Sequence, residues 1–347
     1  MVTKQKSQKG ATATPRTQTG LPQQLQLDKK ILSQLMDLRS AGPMIEAIEK
    51  KRNGTKVLVL AYNDAPPAQS MLTPALLAPL STLLANMGKV KKLDLFLRST
   101  GGITEVPWRI VTLLREFADE IAVMVPSIAL SGATHISIAA DELIMSPFSV
   151  LGSVDPSRNH PLLPKDASGK SIPISVEDLK HCIGFIRREL GESYPEQNLA
   201  LIISELFKYI NPLALGALEQ SYDLSKLITR KCLRSHNRQL DEEQIEKIVE
   251  LLASGYCSHS FLISRSEVEN ELGLPVTKPD DELVQLMKSL ENYYLERFHN
   301  IKQLPAPNSN LGVRVGGVLQ LSSDGHAIAQ ILQRDGKVVV DPWLPIS

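Results

Sequence analysis

Several features that define broad classes of protein are missing from this sequence. Its 347 residues carry a formal net charge of zero at pH 7, so the basic excess of a general nucleic-acid binder is absent. The three cysteines, Cys182, Cys232 and Cys257, contain no CxxC pair, which argues against a disulfide framework and a zinc site. No apolar stretch follows the basic N-terminus, so no secretory signal is expected. We therefore predict a cytoplasmic protein.

A long charge-free segment raises the question of a membrane span. Residues 121–140 hold 20 positions without Asp, Glu, Lys or Arg, which is long enough to cross a bilayer. Pro126, Ser131 and Thr134 interrupt the segment, and its first half is β-branched whereas its second half is small and polar. This pattern predicts a buried strand, a turn and a buried helix.

Strands alternate with helices over the first half of the chain. Apolar runs predict strands at 56–61, 93–97, 121–125 and 142–145, with helices at 74–87, at 105–118 and from Ser131. Such alternation predicts parallel β-α units, in which sites lie beyond the carboxyl ends of the strands. The sequence therefore directs attention to Ser99–Gly102 and to Ser131, which follow two of these strands.

The remaining segments differ in character. Residues 1–27 contain no acidic side chains and predict a disordered tail, followed by short helices at 29–38 and 44–51. The main domain is predicted over 28–276, and its part from 176 to 252 is a helical insertion. A helix follows within 277–303. A β extension at 304–347 should form a small meander, with turns at Asp324-Gly325 and Asp335-Gly336.

Ser131 is a candidate nucleophile. It stands between an apolar strand and the helix that begins Gly132-Ala133-Thr134. Free N–H groups at a helix start can bind an oxyanion, and the helix dipole favours negative charge there. A serine is also a common helix N-cap, so both interpretations stay open at this stage.

The segment Ser99-Thr100-Gly101-Gly102 is a candidate partner of Ser131. A Gly-Gly pair at a strand end makes a tight turn with accessible backbone N–H groups, which suits an oxyanion loop or a simple turn. One helix and one strand separate this glycine loop from Ser131. In a parallel arrangement, both therefore lie at the same sheet edge.

Together these motifs resemble a known family. Residues 93–102 (LDLFLRSTGG) and 129–145, which include ALSGAT and AADELIM, resemble the Clp peptidase and signal peptide peptidase A superfamily. Residues 149–156 (SVLGSVDP) and 254–276 narrow the resemblance to the serine dehydrogenase proteinases. Where the family often has Pro in the loop and Ala-Gly-Thr after the serine, this chain has Thr100 and Gly132-Ala133-Thr134.

The resemblance implies a fold, an activity and a site. The fold is α/β and Clp/crotonase-like, with repeated β-β-α units, N-terminal helices, a helical insertion and a small C-terminal β meander. The activity is ATP-independent serine peptidase hydrolysis of peptide bonds, in a protein that assembles as a homo-oligomer. Ser131 is the implied nucleophile. The implied oxyanion donors are the N–H groups of Gly101 or Gly102 and of Gly132.

The general base is not fixed by these motifs. Asp155 and His259 lie where the family has its histidine and aspartate, and they predict a triad with the two positions exchanged. His135, one helical turn after Ser131, is a rival base. Three lysines are further candidates, namely Lys165, Lys170 and Lys180.

Two other classes of function stay open, and no cofactor is expected. A Clp-like scaffold without turnover fits the uncertain base. A crotonase-type enzyme acting on an acyl thioester fits the oxyanion loop. Neither GxGxxG after a strand nor a complete phosphate loop is present, because Pro164 stands where the first glycine before Ser168-Gly169-Lys170-Ser171 belongs. No metal site, nucleic-acid partner or stable membrane span is predicted.

Overall fold

The computed structural model describes most of the chain from residue 37 onward. The described residues are 37–65, 70–155, 162–169, 171–172, 174, 176–190, 196–300, 304–305, 312–321, 327–335, 338–340 and 343–346. The predicted tail at 1–27, most of the predicted helix at 29–38 and the candidate base Lys170 lie outside these residues.

Strands and helices alternate in the first half, as the apolar runs predict. The elements are α1 (Gly42–Lys51), β1 (Lys56–Tyr62), a short 3₁₀ turn (Pro74–Leu76), α2 (Leu77–Met87), β2 (Val90–Arg98), α3 (Val106–Phe117), β3 (Ala118–Val125), β4 (Ile128–Ala129), α4 (Gly132–Ile138), β5 (Glu142–Met145) and β6 (Val150–Gly152). The charge-free segment is therefore a strand, a short connection and a helix. No helix in the described part of the chain has the length and apolarity needed to cross a bilayer.

Helices dominate the second half until the terminal strands. The elements are α5 (Val176–Leu190), α6 (Glu196–Leu206), α7 (Pro212–Arg234), α8 (Glu242–Glu250), a π-helical turn (Leu251–Gly255), β7 (Leu262–Ser264), α9 (Arg265–Asn270), β8 (Val276–Thr277), α10 (Asp281–Asn300), β9 (Leu304–Pro305), β10 (Gly312–Leu321), β11 (Ala327–Asp335), β12 (Val338–Val340) and β13 (Trp343–Ile346). Helices occupy most of the described part of 176–250, and strands occupy the described part of 304–347. Asp324, Gly325 and Gly336 of the two predicted turns lie outside the described residues.

One large sheet organises the molecule. Its strand order is β12-β11-β10-β1-β2-β3-β5-β8, and β1, β2, β3, β5 and β8 run parallel. The terminal strands join this sheet through β10, which pairs antiparallel with β1. The meander is thus an extension of the main sheet.

A second, small sheet crosses the carboxyl ends of the parallel strands. It consists of β4, β6 and β7. A strand of the main sheet, a strand of the small sheet and a helix follow one another in β3-β4-α4, which is a β-β-α unit. The same order recurs with β5 and β6. The predicted α/β fold class, with a parallel central sheet, is confirmed.

Two apolar layers cover the main sheet. Side chains of alternate strand positions point to opposite faces, so Leu58 and Leu60 pack with helices α2, α3 and α4. Val57 and Val59 point the other way and pack with α1 and α10. Burial on both faces explains why these strands read as continuous apolar runs.

Candidate functional site

Ser131 has an unusual backbone. Its φ of 50° and ψ of −116° lie in a region that L-residues rarely adopt. Its side chain does not cap helix α4, and Ser131 Oγ has no hydrogen-bond partner among the described residues. Ser131 thus occupies the N-cap position of α4, but its side chain makes no capping hydrogen bond. A strained serine at a strand-to-helix turn also occurs at the nucleophile elbow of hydrolases, and the role of Ser131 as nucleophile stays a prediction.

The glycine loop packs directly against this serine. A Cβ built on Gly101 would lie 2.7 Å from Leu130 O, 2.7 Å from Ser131 Cβ and 2.8 Å from Gly132 N. Gly101 also has a φ of +100°, where glycine is favoured. The structure therefore brings the two sequence motifs into contact, and this contact requires glycine at position 101.

Two backbone amides beside Ser131 are open. Gly101 N–H donates to Ser99 Oγ at 3.0 Å and is already used. The N–H groups of Gly102 and Gly132 have no acceptor within the described residues. Gly102 N lies 3.4 Å from the position that a Cβ would take on Gly132, so the two amides are close together. Gly102 and Gly132 therefore stay the predicted donors of an oxyanion hole, whereas the Gly101 N–H is used within the turn.

We expect Gly101→Ala to destabilise the protein far more than Gly88→Ala. Both glycines have positive φ, at 100° and 74°, but a Cβ on Gly88 meets nothing within 4 Å. The clash with the serine turn should add about 1–3 kcal/mol to the cost of Gly101→Ala. Urea denaturation measures the difference. Equal losses for the two variants would show that the glycine loop does not press on Ser131.

Hydrogen bonds hold the loop and the serine turn in register. Ser99 N–H donates to Ile128 O at 3.2 Å, and Leu130 N–H donates to Ser99 O at 2.9 Å. Thr134 Oγ1 lies 2.9 Å from both Ala129 O and Gly152 O and accepts from Gly152 N–H at 3.0 Å. Helix α4 is thereby joined to β4 and β6, which fixes the position of its first turn.

A buried ion pair lies beneath the glycine loop. Arg98, the last residue of β2, donates from Nε to Glu291 Oε1 of helix α10 at 2.8 Å. Its other donors reach Tyr62 O at 2.8 Å and Asp64 Oδ2 at 2.9 Å, and Ser127 Oγ also donates to Glu291. Sequence analysis missed this cluster. A charged residue at the end of an otherwise apolar strand was the available signal.

Asp155 and His259 of the exchanged triad lie beyond the paired residues of the small sheet. The last residue pair between β6 and β7 joins Gly152 to Leu262. Asp155 lies three residues after Gly152, and His259 lies three residues before Leu262. The ladder stops there, because Val154 N–H donates to Leu252 O at 3.0 Å instead. Asp155 is buried and His259 is exposed. The catalytic roles of these two residues therefore stay a prediction.

The described lysine candidates are poorly suited to accept a proton. Lys165 is exposed, in a bridge with Ser171. Lys180 Nζ lies 2.9 Å from Glu177 and 4.1 Å from the centre of the Tyr222 ring. Burial lowers the pKa of Lys180, but hydrogen bonds to Glu177 and Tyr222 outweigh it, so this pKa is raised overall. Lys180 is therefore protonated at neutral pH.

His135 lies inside the protein, on the nucleophile helix. Its side chain is buried, and Nε2 lies 3.1 Å from Thr229 Oγ1 and 3.5 Å from Ser225 Oγ of helix α7. Burial lowers the pKa of His135 to about 4, against a weaker raising effect from a hydrogen bond with Ser225. His135 is therefore neutral at pH 7.

This lowered pKa predicts acid sensitivity. The unfolded chain binds a proton at His135 near the ordinary pKa of 6.5, whereas the folded protein binds it only near pH 4. Stability is therefore complete above pH 6.5 and falls as the pH drops toward 4. We expect wild type to lose about 3 kcal/mol more than His135→Gln over this range. Denaturant titrations at pH 7 and pH 4 measure this, and parallel losses in the two proteins would contradict it.

His236 serves the other end of the same helix. Its Nε2–H donates to Ile138 O, and burial is the main cause of its lowered pKa. Within the part of the chain that the structure describes, no group of three or more His, Cys, Asp or Glu residues is arranged to hold a metal ion.

Comparison with known proteins gives the site a context. Residues 83–164 match the family described as ClpP-like SDH-type serine proteinase. Two uncharacterized proteins of Methanocaldococcus jannaschii, MJ0137 and MJ1495, are 23% and 26% identical to the chain. The first alignment covers 76% of the chain and 82% of MJ0137. The second covers 53% of the chain and 51% of MJ1495.

A solved structure is also similar. A mutant of the 1510-N membrane-bound stomatin-specific protease shares 12% identity, with a TM-score of 0.38, over 74% of this chain and 90% of that one. The matched family segment contains the glycine loop, Ser131 and Asp155. The resemblance to the serine dehydrogenase proteinases is confirmed over residues 83–164, where the chain is similar to the ClpP-like SDH-type serine proteinases.

Proposed function

We propose that this protein is a serine peptidase that hydrolyses peptide bonds without ATP. The observation that carries the proposal is the strained Ser131, whose uncommitted hydroxyl lies beside two open backbone amides. A serine nucleophile needs donors for the oxyanion that develops on its substrate, and the two amides can supply them. The serine proteinase family that matches residues 83–164 supports the same activity.

The reaction follows from the positions of these groups. Ser131 Oγ attacks the peptide carbonyl carbon and loses its proton to a base. The carbonyl oxygen becomes an oxyanion held by the N–H groups of Gly102 and Gly132. The amine leaves with a proton, and water then hydrolyses the acyl-enzyme. Preorganised amides stabilise the charge that develops in the transition state, because they need no rearrangement at that moment.

A fluorophosphonate probe tests the proposal. We expect a single adduct at Ser131, located by peptide mass spectrometry and absent from Ser131→Ala. A fluorogenic peptide should be cleaved without added nucleotide, and this cleavage should also be lost in Ser131→Ala. A folded protein with no adduct and no cleavage would favour a scaffold. Turnover of an acyl thioester that survives Ser131→Ala would favour a crotonase-type enzyme.

The wider setting belongs to the same proposal. We propose that the protein acts in the cytoplasm on peptide or protein substrates and assembles as a homo-oligomer, as the resemblance implies. Analytical ultracentrifugation measures the assembly. A monomer across the micromolar range would contradict the oligomer while leaving the chemistry at Ser131 unaffected.

A further inference from the structure

A buried polar cluster joins three elements around the nucleophile helix. His135 Nε2 of α4 lies 3.1 Å from Thr229 Oγ1 and 3.5 Å from Ser225 Oγ, both on α7. Ser225 Oγ donates in turn to Val154 O at 2.6 Å, just beyond β6. His135 is 2% exposed, and Ser225 and Thr229 are fully buried. The ring is therefore held without help from solvent.

The hydrogens in this cluster can be assigned by counting donors. A hydroxyl has one hydrogen to donate. Thr229 uses its hydrogen on Ser225 O at 2.8 Å, and Ser225 uses its own on Val154 O. Both hydroxyls can then only accept from the imidazole, so the proton of neutral His135 must be on Nε2.

In this tautomer Nδ1 carries no hydrogen, and its lone pair can accept a hydrogen bond. Nδ1 is buried and has no hydrogen-bond partner among the described residues. Buried polar atoms are nearly always satisfied, so an exception calls for a functional explanation. Ser131 Oγ, one helical turn earlier on the same helix, is a hydroxyl that likewise has no partner in the described part of the chain. One group is a free acceptor and the other a free donor.

Other described candidates lack this combination. His236 is committed to Ile138 O, and His259 is exposed in the turn before β7. Lys180 is held as a cation by Glu177 and Tyr222. His135 alone among these four is neutral, buried on the nucleophile helix and left with an open nitrogen.

We propose that Nδ1 of His135 accepts the proton of Ser131, while Thr229 holds the imidazole in the tautomer that leaves this nitrogen open. The inference rests on the proposed peptidase function. As Oγ bonds to the carbonyl carbon, its proton moves to Nδ1 and gives an imidazolium that still donates from Nε2 to Thr229 Oγ1. The proton then passes from Nδ1 to the amine as the C–N bond breaks.

The rate of fluorophosphonate labelling tests this assignment. The Oγ–P bond forms as the P–F bond breaks, and the serine proton again needs an acceptor. His135→Gln keeps a donor for Thr229 but has no basic nitrogen, so we expect its second-order rate constant to fall at least about 100-fold. Thr229→Val should reduce the rate about 10-fold, because the tautomer is no longer fixed. His236→Gln is the matched control, because His236 follows α7 and contacts α4 at Ile138, and it should stay within about 2-fold of wild type.

Two further results would overturn the assignment. If wild type is labelled and folded His135→Gln is labelled equally fast, His135 is not the base, and loss of labelling in His259→Ala would then favour the exchanged triad. If wild type is not labelled at all, the peptidase function and this inference both fail. Nitrogen NMR of Ser131→Ala tests the same assignment without a labelling rate, and it does not require His135→Gln to fold. It should show the His135 proton on Nε2, and a proton on Nδ1 would also overturn the inference.

Discussion

Ser131→Gly is expected to stabilise the fold and to abolish labelling and peptide hydrolysis together. Ser131 has a φ of 50°, which is strained for any residue with a Cβ. Relief of that strain outweighs the extra freedom that glycine gives the unfolded chain, so the free energy of unfolding should rise by about 1 kcal/mol. Loss of the nucleophile should lower kcat by at least about 1,000-fold, because only binding and the oxyanion hole remain.

Two substitutions control this experiment. Ser131→Ala removes the same hydroxyl but keeps a Cβ, so it should be equally inactive and gain no stability. Ser137→Gly makes the same change within the helix, where Ser137 Oγ donates to Ala133 O at 2.9 Å, and should be destabilising. Urea denaturation of the three variants measures the ordering. A Ser131→Gly protein less stable than Ser131→Ala would show that the turn is not strained.

Glu291→Ala is expected to cost about 3 kcal/mol, because it removes the more deeply buried counter-charge of the Arg98 guanidinium and leaves only Asp64, whose side chain is 34% exposed. The Arg98 side chain is 6% exposed and that of Glu291 is 9% exposed, with 2.8 Å between Nε and Oε1. Arg98 directly precedes Ser99 and the glycine loop. Fluorophosphonate labelling of the fraction that stays folded should therefore also slow.

Helix α10 supplies its own control for this prediction. Glu282 pairs with Lys51, but its side chain is 70% exposed, so Glu282→Ala should cost less than about 1 kcal/mol. Replacing both buried charges, as in Arg98→Met with Glu291→Leu, should recover much of the lost stability. If Glu291→Ala and Glu282→Ala lose the same free energy of unfolding, the buried Arg98–Glu291 pair matters no more for stability than the exposed Lys51–Glu282 pair.

The parallel strands were predictable because a strand that is buried on both faces has a continuous run of apolar residues. Residues 56–61 and 121–125 are apolar runs, and both became strands of the main sheet. Strands β4 and β6 were missed because Ile128–Ala129 and Val150–Gly152 are too short to show any periodicity. They exist because the segments around them place their backbones side by side.

The residues of the candidate site also divide into those that local motifs predict and those that only the fold brings together. Ser131 and the glycine loop were found from local motifs, since small residues at strand ends are visible in the sequence. The contact of His135 with Thr229 joins residues 94 positions apart, and that of Arg98 with Glu291 joins residues 193 positions apart. Only the folded arrangement of α4, α7 and α10 brings them together. Local patterns carry no information about such pairs.

Strand β1 lies early in the chain, but one of its two edges is paired only by β10, which lies in the last part of the chain. Leu58 pairs with Leu321 and Tyr62 with Gly317, so one edge of β1 stays open on the ribosome until β10 has emerged. At about 5–20 residues per second, this interval lasts tens of seconds. An uncovered apolar edge strand attracts other strands. The nascent protein is therefore expected to depend on chaperones during its own synthesis, and premature termination before residue 312 should yield aggregates.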